Sequence, residues 1–459
     1  MKKVIILFIA VSSFVYGQKE KKLDSLFTSL YAAKEFNGNV LVAEKGKVIY
    51  EKSFGLANEK TKQKLDKNTV FELASVSKQF TAMGIVQLEK EGKLSYNDPL
   101  TKYFPELSFY KPITIDNLLH HTSGLPDYMS LFDKNWDKKK FATNKDVVEM
   151  LAKYKPELLF VPGDKYEYSN TGYALLGLII EKVSKQSYGD YLNKKIFKPL
   201  GMANTRVYRS RYKPEKISNY ALGYVVDSLG NKKLLDDLGK EYYTYYLDGI
   251  VGDGMVNSTT GDLLKWDRAL YGDKLVNQKD KDLIFSSIVT KDNKDTRYGY
   301  GWAIDTKYPF GKIANHSGGW AGYITFIERD LDYDKTIIIL QNNDSEAASS
   351  PVKQLRNILY DIKPIKVDLA TLQKYSGKYT KKNSKTFEVF FENNKLYVPL
   401  NPQVKLELEA ISTNKFKVRD FSPDVFYEFK ILDDGSIKCN MSQPAHNMNE
   451  EGIKKNIIK

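Results

Sequence analysis

The chain has 459 residues, of which 42% are hydrophobic and 28% charged, so it is typical of a soluble globular protein rather than a disordered one. Its length predicts two domains. The formal net charge is +13, but the lysines are scattered and no nucleic-acid-binding motif accompanies them, so a solvated basic face is the favoured interpretation. Cys439 is the only cysteine, which excludes an intrachain disulfide and a CxxC redox or zinc site.

The N-terminus has the pattern of a secretory signal. Lys2 and Lys3 precede an apolar run over residues 4–15, and small residues lead to a cleavage site after Gly17. We expect residues 1–17 to be a signal peptide and the mature protein to be secreted or periplasmic. The alternative is a buried N-terminal strand. No later segment is long and apolar enough to cross a membrane, so no transmembrane segment is expected.

In chain order, the first predicted elements are a helix over residues 24–35 and a β-hairpin formed by residues 38–43 and 46–50. A mostly helical region follows. Its last helix carries a possible capping box from Thr259 to Asp262. The helices predicted in this region cover residues 75–91, 114–120, 145–154, 170–184, 188–196 and 259–270.

Strands return late in the chain. Residues 322–328 and 335–341 predict a second hairpin, and residues 351–361 predict a closing helix. A sheet built from both ends of residues 18–363, with a helical region inserted between them, is an α+β fold with clefts at the junction. From residue 364 to 459, alternating apolar residues predict a β-meander or small barrel domain with a stabilising or docking role.

The first candidate site is the SxxK pattern from Ser75 to Lys78. Residues three apart share a helix face, whereas Ser77 is turned about 100° away from Lys78, so geometry selects Ser75. If the helix begins at about Ser75, its free N–H groups can stabilise an oxyanion beside that serine, and a nearby desolvated amine can accept the serine proton. The alternative is a capping serine beside a lysine whose stem lies on apolar surface.

Two further stretches offer complementary chemistry. Tyr168 and Asn170 supply a phenol for proton exchange and an amide to hold a substrate carbonyl; the alternative is that Asn170 caps a helix. The stretch 316–319 permits close backbone approach, and the Gly319 N–H could complete an oxyanion hole with that of Ser75. That stretch could also be a glycine-rich turn. The similar string over residues 120–126 is interpreted as a loop.

Taken in order, Ser75-Val76-Ser77-Lys78, Tyr168-Ser169-Asn170 and His316-Ser317-Gly318 resemble the three motifs of the serine β-lactamase and penicillin-binding superfamily. The Tyr-x-Asn form is similar to the class C β-lactamase-related branch, which includes D,D-carboxypeptidases, D-aminopeptidases and esterases. The stretches LLHHTSGLP and GDGMVNSTTGDLLKW are also similar to that branch, so the resemblance covers about residues 23–361.

The resemblance implies a β-lactamase-like sheet flanked by helices and a serine hydrolase that works through an acyl-enzyme. Ser75 would be the nucleophile, and Lys78 and Tyr168 would share the acid and base work. Asn170 would orient the substrate, and the Ser75 and Gly319 N–H groups would form the oxyanion hole. No cofactor is implied, and no metal is expected because the His120-His121 pair lacks zinc-ligand spacing.

The third motif departs from the β-lactamase pattern. His316 stands where β-lactamases usually have lysine, so a fixed cation for a β-lactam carboxylate is missing or depends on pH. With Ser317, Gly318 and Gly319, His316 would line the substrate site. We expect a carboxypeptidase-like or esterase-like enzyme whose substrate is an ester, amide or D-amino-acid peptide, with a cell-wall origin as one option. The alternatives are a β-lactamase and a non-catalytic binder of cell-wall peptide or of a protein partner.

Overall fold

The structure is a computed structural model that describes residues 2–227, 231–306, 311–344, 351–363, 365–401, 404–419, 421 and 424–455. The chain divides into two compact units, residues 1–358 and 359–459, each described by itself below. The side chains of residues 2–16, which carry the predicted signal sequence, and residue 364, the predicted domain boundary, lie outside the described part.

The first unit is built around a six-stranded antiparallel sheet with the order β10-β11-β12-β13-β1-β2. Strand β1 lies between β2 and β13, with Val42 opposite Tyr50 on one side and Ile337 on the other. The sheet therefore combines the first and last parts of the unit, which confirms the predicted α+β fold. The strands of this unit are β1 (Gly38–Glu44), β2 (Lys47–Phe54), β3 (Leu56–Asn58), β4 (Gln63–Lys64), β5 (Phe71–Glu72), β6 (Arg206–Val207), β7 (Tyr224–Val226), β8 (Lys232–Leu234), β9 (Val256–Ser258), β10 (Ala303–Asp305), β11 (Ile313–Trp320), β12 (Tyr323–Asp330), β13 (Lys335–Gln341) and β14 (Asn343–Asp344).

The predicted helices are present, but the structure differs from the prediction in several places. The helix predicted over residues 75–91 begins at Lys78, since residues 74–77 form a 3₁₀ turn, and the helix predicted over residues 24–35 is the end of one that begins at Lys2. The helices over residues 128–135, 278–284 and 369–375 were not predicted. Residues 188–196 form a short α-helix followed by a π-helical turn, Asn193–Phe197. Thr259 caps its helix by accepting from the Asp262 N–H, but the Asp262 carboxylate binds Thr205 instead of closing a capping box. The helices are α1 (Lys2–Ala32), α2 (Lys78–Lys90), α3 (Leu100–Tyr103), α4 (Ile115–Leu119), α5 (Tyr128–Asn135), α6 (Asn144–Tyr154), α7 (Asn170–Ser184), α8 (Tyr188–Leu192), α9 (Lys198–Leu200), α10 (Tyr243–Tyr246), α11 (Thr260–Ala269), α12 (Gln278–Ile284), α13 (Val352–Leu359) and α14 (Leu369–Tyr375). Across the described residues, none of these helices has the length and apolar character needed to span a bilayer.

Helices α2 and α7 pack against each other in the middle of the hydrophobic core. Residues 78–86 of α2 and 171–180 of α7 are buried without interruption, as expected for helices that are enclosed on all sides. Gly84 permits their close approach, because a Cβ there would lie 2.8 Å from Ile180 Cδ1. The first residues of the two helices, Lys78 and Asn170, are thereby held in fixed positions.

The second unit is a closed eight-stranded barrel in which successive strands pair and β15 returns to pair with β22. Alternating side chains fill its interior, among them Tyr379, Phe416 and Phe429. Cys439 belongs to this core, and burial raises the pKa of its thiol. The predicted meander is therefore confirmed, and closure removes its edges. The strands are β15 (Gly377–Lys381), β16 (Thr386–Glu392), β17 (Lys395–Pro399), β18 (Lys405–Ala410), β19 (Lys415–Val418), β20 (Phe426–Ile431), β21 (Ile437–Gln443) and β22 (Met448–Lys454).

A single 3₁₀ turn, Ala74–Ser77, joins β5 to α2, and strand β11 lies directly against it. Ala74 has φ +48°, a left-handed conformation that is costly for a residue with a side chain. A Cβ on Gly318 would lie 2.2 Å from the Leu73 carbonyl oxygen, whereas one on Gly319 would meet no heavy atom within 4 Å. Glycine is thus needed at position 318 for the strand to approach the turn.

We predict that Gly318→Ala forces β11 away from this turn, because the added methyl group meets backbone rather than a flexible side chain. The expected cost is about 1–3 kcal/mol of stability, measured as a lower midpoint in thermal unfolding. Gly319→Ala is the matched control and should leave the midpoint unchanged. Equal effects of the two substitutions would contradict this account of the packing.

Candidate active site

Three segments of the first unit meet at the Lys78 ammonium group. Lys78 Nζ lies 3.1 Å from Ser75 Oγ, 2.9 Å from Asn170 Oδ1 and 2.9 Å from the Asp253 carbonyl oxygen. Lys78 is fully buried, although the neighbouring Ser75 is partly exposed. The fold therefore brings the SxxK stretch and the Tyr-x-Asn stretch together, although Lys78 and Asn170 are 92 residues apart in sequence.

The three partners of Lys78 differ in what they can do with a proton. The Asn170 Oδ1 and the Asp253 carbonyl only accept hydrogen bonds, whereas the Ser75 hydroxyl can also donate one. When the Lys78 amine is neutral, it can donate one N–H to each of the two acceptors. Its lone pair can then accept a hydrogen bond from the Ser75 hydroxyl. Burial lowers the pKa of Lys78 to about 8, against the opposing charges of Asp253 and Asp127, so the neutral amine is accessible near neutral pH.

Asn170 is free to bind Lys78 because Ser169 caps helix α7. The Ser169 hydroxyl accepts from the Gly172 N–H, so the interpretation of Asn170 as the cap is wrong. The Asn170 Nδ2 donates to Asp127 Oδ2 at 3.3 Å, which orients its carbonyl oxygen toward Lys78. The amide thus links the lysine to a carboxylate on the neighbouring loop.

Tyr168 lies over the same lysine. Its ring centroid is 4.9 Å from Lys78 Nζ, and 36% of its surface is exposed, so the phenol is accessible from the cleft. Burial raises the pKa of Tyr168, and the neighbouring Ser75 hydroxyl opposes that rise. At neutral pH the phenol therefore carries its proton and is available as a donor.

His316 is buried and has both ring nitrogens engaged. Nδ1 lies 2.6 Å from the Ser317 carbonyl oxygen and Nε2 lies 2.7 Å from the Tyr298 hydroxyl. Because a carbonyl only accepts, Nδ1 carries the proton and Nε2 accepts from Tyr298. Burial lowers the pKa of His316 to about 3, and the charge of Lys78 adds to the effect, so the ring is neutral at physiological pH.

The remaining residues of the third motif alternate along β11. Ser317 and Gly319 are exposed, whereas Gly318 is buried against the turn before Ser75. Gly319 lines the same cavity as Ser75 and Asn170, and this cavity has a volume of about 140 Å³. Each of the three predicted stretches thus contributes one residue to the cavity. His316, Ser317 and Gly318, which were predicted to line the substrate site, are not among the residues that line this cavity.

Several residues around the cavity were missed by sequence reasoning. Tyr128 donates to Asp253 Oδ2 at 2.9 Å, and Glu72 and Trp320 also line the cavity. His121 belongs to the string set aside as a loop; its ring lies 4.3 Å from that of Tyr168. Sequence reasoning missed these residues because their contacts join segments that are distant in sequence. Only the His120-His121 pair formed a recognisable local motif.

The interpretation of residues 120–126 as a loop is correct, but His121 within it has a structural role next to the site. Its Nδ1 accepts from the Ser169 N–H at 3.0 Å, which supports the start of α7. Its ring packs against Tyr173 and Tyr298 as well. Burial holds the pKa of His121 well below its usual range, so it is a neutral packing element.

Ser77 lies apart from this constellation. Its side chain is buried, and its hydroxyl accepts from the Val256 N–H at 3.0 Å. The expectation that Ser77 points away from Lys78 is consistent with this contact. Ser77 fastens the start of α2 to strand β9.

Comparisons with known proteins show which proteins this chain is similar to. Penicillin-binding protein 4* of Bacillus subtilis is 41% identical over 432 residues, covering 91% of this chain and 95% of the relative. The octameric penicillin-binding protein homologue from Pyrococcus abyssi has 25% identity and a TM-score of 0.63, covering 95% of this chain and 99% of its own. The D-amino acid amidase from Ochrobactrum anthropi shares the fold, with a TM-score of 0.60 at 24% identity, over 76% of this chain and 99% of its own. The model of the Beta-lactamase family matches residues 23–360, and the chain therefore belongs to that family.

Proposed function

We propose that the protein is a serine hydrolase that forms an acyl-enzyme on Ser75. The observation that carries the proposal is the contact of Lys78 Nζ with Ser75 Oγ, made by a buried lysine whose other two partners only accept hydrogen bonds. Such a lysine can hold the serine proton without a histidine. Membership of the Beta-lactamase family, whose members are serine hydrolases, supports the same chemistry.

In the proposed reaction, neutral Lys78 takes the Ser75 proton as Oγ attacks the substrate carbonyl. The N–H groups of Ser75 and Gly319 bind the oxyanion. Tyr168, which is protonated in the free enzyme, donates its proton to the leaving group and is reprotonated from the Lys78 ammonium. Asn170 holds the lysine in place and faces the substrate, and water then hydrolyses the ester on Ser75.

The proposed substrates are esters, amides or D-amino-acid peptides, including peptides derived from cell walls. A neutral His316 supplies no cation for a β-lactam carboxylate, which disfavours an efficient β-lactamase. The names of the similar proteins, a penicillin-binding protein and a D-amino acid amidase, are consistent with acyl transfer from such substrates. The predicted signal peptide supports a secreted or periplasmic location for this activity.

The first test is hydrolysis of p-nitrophenyl acetate by purified mature protein and its Ser75→Ala variant. The variant should lose turnover by at least about a thousandfold, because the acyl-enzyme cannot form. Ser77→Ala is the matched control. It should keep the rate but lose about 1–3 kcal/mol of stability, since the buried Val256 N–H is left without a partner.

An undiminished rate in Ser75→Ala would contradict the assignment of the nucleophile. A loss of rate confined to Ser77→Ala would place the nucleophile on the other serine of the motif. Binding of a cell-wall peptide without any turnover would favour the non-catalytic alternative.

The pH dependence provides a second prediction. Because the neutral amine of Lys78 is the active form, kcat/KM for the acetate ester should rise with pH and level off above about 8, the pKa of Lys78. The measurement is a pH–rate profile of the free enzyme between pH 5 and about 10. A rate that is constant over this range would contradict Lys78 as the base.

A further inference from the structure

The cavity beside Ser75 combines apolar walls with a buried carboxyl group. Leu247, Ile250 and Met255 line it together with Trp320. Glu72 lines it from β5, three residues before Ser75. Side chains alternate along a strand, and Phe71 belongs to the hydrophobic core, which leaves Glu72 on the cavity side.

Glu72 has no counter-ion of its own. It is 4% exposed, and no residue in the described part of the chain forms a hydrogen bond to its carboxyl group. The nearby cation is Arg211, whose Nε binds Asp236 at 2.7 Å and whose Nη1 lies 3.6 Å from Asp248. The Arg211 guanidinium thus already interacts with two carboxylates, those of Asp236 and Asp248, in addition to Glu72.

The other groups around Glu72 do not compensate its charge. Tyr220 and Tyr323 interact with it, and burial keeps the pKa of both phenols raised, so they are neutral. Burial, and then the charge of Asp248, raises the pKa of Glu72 to about 8, while Arg211 opposes the rise. Glu72 therefore shares the Arg211 guanidinium with two other carboxyl groups. A cation that enters the cavity would be stabilised beside Glu72.

We propose that this cavity is an acyl-group subsite in which Glu72 binds the ammonium group at the end of an aliphatic side chain, as in a lysine-like acyl donor. The apolar walls would hold the methylene groups, and the ammonium would supply the ionic partner that Glu72 lacks. The proposal rests on the proposed function, since it assigns the acyl group that is transferred to Ser75.

The test compares p-nitrophenyl esters of Nα-acetyl-lysine and Nα-acetyl-norleucine, in both enantiomers, which differ in a terminal ammonium. For at least one enantiomer, the unaltered protein should favour lysine over norleucine in kcat/KM by about tenfold or more at pH 9. Glu72→Gln should reduce this preference about tenfold while retaining turnover of the norleucine ester. Glu157→Gln, an exposed carboxyl outside the cavity, should leave the preference unchanged.

The preference should also depend on pH with a defined sign. Below about 8, Glu72 is protonated and neutral, so the lysine-to-norleucine ratio should rise as the pH increases from 6 to 9. The lysine side chain stays charged over this range. Both esters share Ser75 and Lys78, so their titration cancels in the ratio, and in Glu72→Gln the ratio should be flat.

The outcomes separate the two proposals. An equal lysine preference in the unaltered protein and in Glu72→Gln overturns the subsite but leaves the hydrolase intact. Failure of the unaltered protein to hydrolyse p-nitrophenyl acetate overturns both. If Glu72→Gln does not fold, inhibition of acetate hydrolysis at pH 9 decides: n-butylammonium should inhibit more strongly than n-butanol, and equal inhibition overturns the subsite.

Discussion

The site depends on one contact between the N-terminal ends of two buried helices. Lys78 opens α2 and Asn170 opens α7, and the hydrogen bond between them is 2.9 Å long. The packing of the two helices in the core fixes both residues, so the lysine amine reaches Ser75 without freedom to turn away. A long side chain that would otherwise lose much rotamer entropy on binding is therefore already ordered.

Burial then divides the work among the groups around Ser75. Burial lowers the pKa of Lys78 and of His316, because their cationic forms are poorly solvated there. It raises the pKa of Tyr168, because the phenolate anion would also be poorly solvated. One physical cause thus gives the three groups the protonation states that the proposed reaction requires of them: an amine able to lose its proton, a neutral imidazole and a protonated phenol. Burial also raises the pKa of the Glu72 carboxyl group, to about 8.

The sequence predicted those parts of the fold that have local signals. The hairpins and the alternating strands of the second unit were predictable from periodicity. The contact between Ser75 and Lys78 was also expected from their spacing, but a 3₁₀ turn before α2 carries Ser75 rather than the α-helix that was predicted. The capping role of Ser169 was missed, because Ser169 and Asn170 are both good caps and only the tertiary contact with Lys78 decides between them. His121, Tyr298 and Glu72 were missed as well, since their neighbours lie on other segments and leave no spacing pattern.

The most direct test of the central claim is labelling with an alkyl fluorophosphonate, followed by intact-mass measurement and peptide mapping. A single adduct should form on Ser75, and Lys78→Met, which keeps the shape of the side chain but not its amine, should slow labelling by about a hundredfold or more. An adduct on another residue, or equally fast labelling of Lys78→Met, would contradict activation of Ser75 by the buried lysine.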